Sequence, residues 1–102
     1  MKQPGYKAYE KLLHSRLQVL GAETPLYLKL IEVKDMGVTD GYERFSLLFE
    51  GPSDRLLEQQ TVVLEHESLE EFAVFIVPVR LTGSGCRYEA VFSLSVSDTR
   101  GG

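Results

Sequence analysis

The chain has 102 residues, of which 43% are hydrophobic and 25% are charged, and these values are typical of one globular domain. They exclude a disordered, fibrous or low-complexity chain. The formal net charge of -4 and the lack of a basic stripe exclude the usual nucleic-acid binder, because phosphate neutralisation dominates affinity in that class.

Two features bear on location. No stretch approaches the roughly 20 apolar residues of a membrane-spanning helix. The polar residues 1–5 are not followed by the apolar run of a secretory signal peptide. We therefore expect a single domain over residues 1–102 that stays in the cytoplasm or inside a larger assembly. Residues 1–4 and 97–102 are polar and are expected to be flexible ends.

The first predicted element is a short helix over residues 6–13. Tyr6, Tyr9, Leu12 and Leu13 follow one another at spacings of three, three and one, which places them on one helical face. About two turns of helix are not stable alone in water. The helix is therefore expected to dock on the rest of the domain.

A hairpin follows, with alternating apolar residues over 15–20 and 26–33 on either side of a turn. The apolar phase slips by one position between Leu30 and Ile31, and such a slip indicates a β-bulge. Residues 34–42 contain two aspartates and two glycines, and they are expected to form a loop.

Three further strands show alternating or continuous apolar patterns. Residues 44–50 alternate cleanly, and residues 61–66 form a short strand before a turn. The glycine-rich turn at 81–86 leads into a half-buried strand over 88–96.

Residues 72–79 form the most apolar stretch of the chain, and it is apolar on both alternating faces. Such a pattern predicts a central strand around which the other elements pack, with both faces covered. Pro78 lacks an amide hydrogen, so the strand must reach an edge, a bulge or a corner at that residue.

These elements predict a mainly β fold: a small antiparallel β-barrel or sandwich of about six strands with one short N-terminal helix. We favour the barrel, with the helix plugging one end.

No residue pattern indicates catalysis, a cofactor or a metal. His14, His66 and Cys86 do not have the spacing of a zinc site or of a cysteine nucleophile with its base. The acidic cluster at 65–71 lacks the aspartates and glycine of a calcium-binding loop. It is expected to be a solvated hairpin end. We therefore predict no catalytic residue, no cofactor site and no metal ligand.

The C-terminal residues Arg100, Gly101 and Gly102 match the end that ubiquitin-like modifiers present for conjugation. The ubiquitin-like fold needs a long helix after its first hairpin, and residues 34–60 show no helical periodicity. A ubiquitin-like modifier is therefore a distant alternative.

Motifs spread over most of the chain resemble a known family. The motifs are F-S-L-L-F-E-G-P at 45–52, L-E-H at 64–66, F-I-V-P-V at 75–79 and Y-E-A-V-F at 88–92. Together they resemble a family of roughly hundred-residue bacterial proteins of unknown function. Members of that family are often found near proteins with a phage tail-collar domain, and the resemblance implies a tail-associated or surface-assembly context.

The leading functional prediction is a non-enzymatic structural or protein-interaction module that associates with itself or with a tail-collar-type partner. The expected partner surface comprises Val77, Pro78, Val79 and Val91. No nucleic acid and no membrane span are expected.

The alternative is a barrel that binds a small apolar ligand, since barrel interiors hold such ligands where side chains do not fill them. Phe45, Phe49, Tyr88 and Phe92 are the candidate lining. In a barrel this small, the same aromatic side chains more often fill the core.

Overall fold

The computed structural model describes residues 5–95, in which one short helix precedes six antiparallel strands. In chain order the elements are α1 (Tyr6–Glu10), β1 (Arg16–Val19), β2 (Tyr27–Thr39), β3 (Tyr42–Gly51), β4 (Gln60–His66), β5 (Leu69–Leu81) and β6 (Cys86–Ser95). No helix within the described residues is long and apolar enough to span a membrane. The predictions of flexible ends at 1–4 and 97–102 lie outside this range.

The strands form a closed barrel in the order β1-β2-β3-β6-β5-β4, and β4 closes the ring by pairing with β1. Each half of the sequence supplies a meander, β1 to β3 and β4 to β6. Residues 52–59 carry the chain from β3 to β4 across one end of the barrel. The mainly β fold with one short helix is confirmed, and of the two predicted architectures the chain adopts the barrel.

That crossing segment is fixed at two points. The guanidinium of Arg55 donates hydrogen bonds to the backbone carbonyls of Pro25 (2.9 Å) and Thr24 (3.2 Å) in the β1–β2 loop. The amide of Leu57 donates to the hydroxyl of Tyr88 at 2.9 Å, inside the barrel end. The segment therefore covers this end of the core.

Aromatic side chains close the opposite end. Tyr9 of α1 is fully buried, and its ring centroid lies 5.3 Å from Phe72, 5.6 Å from Phe92 and 5.8 Å from Phe45. Phe45 and Phe92 stack at 4.8 Å with nearly parallel rings. The helix ends at Glu10, which makes it shorter than the predicted helix over residues 6–13, and Tyr9 holds it on the barrel.

The inward positions of the strands form one continuous core. These are Leu17, Val19, Leu28, Leu30, Phe45, Leu47, Phe49, Val62, Leu64, Phe72, Val74, Ile76, Tyr88, Ala90 and Phe92, all buried. The alternation in the sequence thus identifies the core correctly along β3 and β6.

The predicted bulge in β2 is confirmed. The pairing of β2 with β3 shifts between Leu30 and Glu32, at the point where the apolar phase slips in the sequence. The bulge lets this long strand bend with the closed sheet.

The predicted loop at 34–42 is wrong. β2 continues through Thr39, and only Asp40 and Gly41 connect it to β3, with φ values of 53° and 80°. Two consecutive positive φ angles are the mark of a type I′ hairpin turn, and Asp-Gly is among its preferred sequences.

The other glycine and aspartate of that stretch serve an irregularity within the strand. Gly37 has φ 82°, and its amide donates to the Asp35 carboxylate at 2.9 Å. The pairing with β3 shifts between Asp35 and Val38 at the same place. Residues typical of a loop therefore form a bulge in a continuous strand.

The expectation that β5 is covered on both faces is also wrong. Phe72, Val74 and Ile76 point into the core, whereas Phe75 is 49% exposed and Val79 is 51% exposed. Because a barrel has one inside, the second apolar face of the strand lies on its outer wall.

Candidate interaction surface

An apolar patch lies on the outer wall of the barrel where β4, β5 and β6 are neighbours. It consists of Val63 on β4, Phe75, Val77 and Val79 on β5, and Val91 on β6, and we call it the outer β5 face. Val91 is 64% exposed and Val63 is 37% exposed, while Val77 is half-buried. Exposed β-branched and aromatic residues that are neighbours on one surface are typical of contact sites.

Strand register brings these side chains together. Val63 lies directly across from Ala73, which precedes Phe75 by two positions on the same face. Val77 lies across from Glu89 on β6, and Val91 is the next residue of β6 on that face. The patch is therefore continuous across three strands.

Pro78 sits at a β-bulge, which confirms the expectation of a bulge, edge or corner. Pro78 pairs with Tyr88 and Arg80 pairs with Arg87, so Val79 is the extra residue of β5. A bulge strengthens the local twist and turns side chains away from the regular alternation. It leaves Pro78 and Val79 exposed at the far end of the strand.

Within the described residues, the far end of β5 is paired with β6 and not with β4. β4 begins at Gln60, which lies across from Ile76. Beyond Ile76, the pairs described for β5 are with β6 and run from Val77 to Leu81. This part of β5 thus projects past its β4 neighbour.

The outer β5 face carries opposite charges at its two ends. At the end near α1, the pairing of β4 with β5 is irregular. There Glu65 of β4 lies opposite Glu70 and Glu71 of β5. Toward the other end, Arg80 lies directly across from Arg87. The apolar residues lie between an acidic end and a basic end, and exposed Glu89 lies among them, directly across from Val77.

The structure places the four predicted surface residues near one another. Pro78, Val79 and Val91 are exposed and Val77 is half-buried. The prediction missed Phe75, the largest side chain of the patch. Phe75 shares the alternating face of Val77 and Val79, which was the available signal, but that face was expected to be covered.

An acidic depression of about 560 Å³ lies at the β4–β5 turn, beside the acidic end of the outer β5 face. Its lining residues are Glu65, His66, Glu67, Leu69, Glu70 and Glu71. The imidazole Nδ1 of His66 accepts the Ser68 amide at 3.1 Å and lies 2.7 Å from the Ser68 hydroxyl. These contacts stabilise the tight turn into β5.

Within residues 5–95, no three histidine, cysteine, aspartate or glutamate side chains are arranged to hold a metal ion. Cys86 is buried at the start of β6, and its thiol lies 3.8 Å from the Arg87 carbonyl. It is a strand-end core residue in this position. Gly101 and Gly102, named for the modifier alternative, lie outside the described residues.

The four aromatic residues named for a ligand site are all in the barrel interior. Phe45, Phe49 and Tyr88 are fully buried and Phe92 is 9% exposed. Burial raises the pKa of the Tyr88 phenol, while the hydrogen bond from Leu57 acts in the opposite direction. Ligand binding in the interior stays a prediction.

No curated protein and no solved structure shows significant similarity to the chain. A family model described as a domain of unknown function matches residues 4–92. The resemblance to a family of unknown function is thereby confirmed at that level. Because the match covers most of the chain, the chain belongs to the family described as domain of unknown function DUF6916.

Proposed function

We propose that the chain is a non-enzymatic structural or protein-interaction module, and that the outer β5 face is its docking surface. The observation that carries the proposal is the exposure of Phe75, Val79 and Val91 on the wall of a barrel whose interior is closely packed. Removing such apolar surface from water favours association by about 25 cal/mol per Å².

The position of the patch supports docking of a folded partner. The side chains stand on three paired strands, and the core residues beneath them are fully buried. A rigid platform of this kind loses little conformational entropy on binding. Phe75 has the size of an interface anchor, and in the contact the valines around it exclude water from it.

The resemblance in the sequence motifs supports a finer proposal, a role in an assembly related to phage tails. Within it, the partner is a tail-collar-type protein or another copy of the chain. A cytoplasmic location, with incorporation into a larger particle, is part of this proposal. No cofactor, metal or nucleic acid takes part in it.

Co-purification from the native host tests the docking role, with Val79→Asp as the disrupting variant. A charge inside a desolvated contact is unfavourable, so we expect Val79→Asp to retain at least about tenfold less partner than the unmodified chain. Val38→Asp is the matched control, because Val38 is 64% exposed on the β2–β3 ribbon, away from the patch.

The two variants are compared after circular dichroism has established that both are folded. Equal partner retention by Val79→Asp and by the unmodified chain would contradict the assignment of the docking surface. Loss of partner with Val38→Asp alone would move the contact to the β2–β3 ribbon.

A further inference from the structure

The N-terminal segment of residues 5–13, which we call the plug, places the ring of Tyr9 against three other rings at one end of the barrel. Tyr9 is fully buried and lies edge-on to Phe72, and its ring is inclined by 38° to Phe92 and by 42° to Phe45. We call these three phenylalanines the aromatic site. They stand on β5, β6 and β3, so the barrel builds the site and the plug occupies it.

The plug has few features that stabilise a helix by itself. Its helix α1 spans five residues, whereas an isolated helix needs roughly 12 to 15. Gly5 at the N-cap gives no side-chain hydrogen bond, and the first turn carries no acidic residue to complement the helix dipole. The closed position of the plug therefore depends on its contacts with the barrel end.

The two junctions of the plug with the barrel differ in strength. Near its start, the Tyr6 amide donates a long hydrogen bond of 3.3 Å to the Glu43 carboxylate. Directly after the plug, the His14 amide donates to the Leu30 carbonyl at 2.6 Å, which anchors the chain to β2 from this residue onward. His14 has φ 73°, in a region that residues other than glycine adopt at a cost. It lies where a released plug hinges.

We propose that the plug is displaceable and that the aromatic site binds an aromatic ring from outside the chain in place of Tyr9. Tyr9 is then an internal ligand, and its ring shows which chemical group the site accepts. An external ring competes with the plug, so its apparent affinity is reduced by the small fraction of molecules in which the plug is open. The aromatic site is separate from the outer β5 face, and neither proposal depends on the other.

Para-cresol, which is the side chain of tyrosine without its backbone, is the probe for the full chain. We expect it to speed amide hydrogen exchange of residues 6–13 at least about tenfold without changing β3 or β6, because only the plug opens. Methylcyclohexanol is the control, since its ring is saturated and carries the same substituents. Equal effects of the two compounds, or unchanged exchange of residues 6–13 with para-cresol, would overturn the proposal.

Two variants at one exposed position of α1 test whether binding depends on opening of the plug. Lys7→Gly and Lys7→Ala remove the same charge, but only glycine strongly disfavours the helix. We expect Lys7→Gly to bind para-cresol about threefold more tightly than Lys7→Ala in a chemical-shift titration, because a larger fraction of its molecules is open. Equal dissociation constants for the two variants would contradict competition between the ring and the plug.

Tyr9→Ala empties the aromatic site. We expect this variant to bind para-cresol at least about tenfold more tightly than the unmodified chain, and para-cresol to raise its melting temperature. If the variant does not fold, the two Lys7 variants still decide the proposal.

A synthetic peptide with the sequence of residues 5–13 distinguishes the two sources of an aromatic ring. If Tyr9→Ala binds the peptide more tightly than para-cresol, the natural ring belongs to a tyrosine-bearing segment of a protein. If it binds para-cresol more tightly, the natural ligand is a small aromatic molecule. A folded Tyr9→Ala variant that binds neither probe overturns the aromatic site.

Discussion

Tyr88 shows how one buried hydroxyl links the barrel core to the segment that crosses its end. The ring is fully buried, and the hydroxyl accepts the Leu57 amide at 2.9 Å. Burial raises the pKa of the phenol above its ordinary value of 10.0. The contribution of this group to stability is therefore complete below pH 10 and is lost as the pH rises through the folded-state pKa.

Tyr88→Phe should have two effects on urea unfolding. At neutral pH the Leu57 amide loses its acceptor, and we expect a loss of about 1 to 2 kcal/mol. Above pH 10 the variant should lose stability less steeply than the unmodified chain, because the buried phenol no longer ionises. The pKa of Tyr6 is also raised, mainly by the Asp35 carboxylate. Because Tyr6 is present in both proteins, its ionisation does not contribute to the difference between their curves. Parallel curves between pH 9 and 11 would refute this role of Tyr88.

At the scale of elements, the β5–β6 hairpin depends on close approach of its turn to the end of β3. The turn is closed by a hydrogen bond from the Thr82 amide to the Gly85 carbonyl at 2.7 Å. A Cβ atom at Gly85 would lie 2.5 Å from the Gly51 carbonyl oxygen, which belongs to the backbone of β3. Only glycine fits there without movement of the sheet.

Gly85→Ala should therefore destabilise the chain by about 1 to 3 kcal/mol, the usual range for overpacking. Gly83→Ala is the matched control in the same turn, because a Cβ atom there would meet nothing within 4 Å. We expect the control to change the unfolding free energy by less than about 0.5 kcal/mol. Equal effects of the two substitutions would show that the Gly51 contact is not what restricts the turn.

The elements also show what sequence patterns can and cannot predict. The phase slip after Leu30 reports the bulge directly, because a bulge is a one-residue change in facing. Asp40 and Gly41 carry a strong hairpin signal, but Asp35 and Gly37 nearby made the whole stretch look like a loop. Composition alone does not separate a glycine in a bulge from a glycine in a loop.

The exposure of the outer β5 face was predictable in part for a similar reason. Alternation assigns Phe72 and Phe75 to opposite faces of β5, but it does not say which face lies inside. Pro78 signalled the irregular end of the strand, and the exposed residues around it follow from that signal. Identifying Phe75 as exposed required the closure of the barrel, which depends on pairing between distant segments.

On the scale of the whole molecule, closure of the barrel determines where function can reside. The sheet joins β4 to β1, and the interior is filled by aromatic and aliphatic side chains. A filled barrel presents its chemistry on its outer wall and at its ends. The outer β5 face exposes Phe75, Val79 and Val91 on that wall, and these side chains carry the proposed docking role.

The central claim is that β5 has one face in the core and one exposed face. Substitution of the adjacent residues Phe75 and Ile76 tests this claim most directly. The measurement is the free energy of unfolding of Phe75→Asp and of Ile76→Asp. We expect Phe75→Asp to remain folded with a loss of at most about 2 kcal/mol, because its side chain already meets water. Ile76 is fully buried, so its aspartate variant should lose about 4 kcal/mol or more, or fail to fold. Equal, severe losses for both variants would mean that Phe75 is core, and would contradict the account.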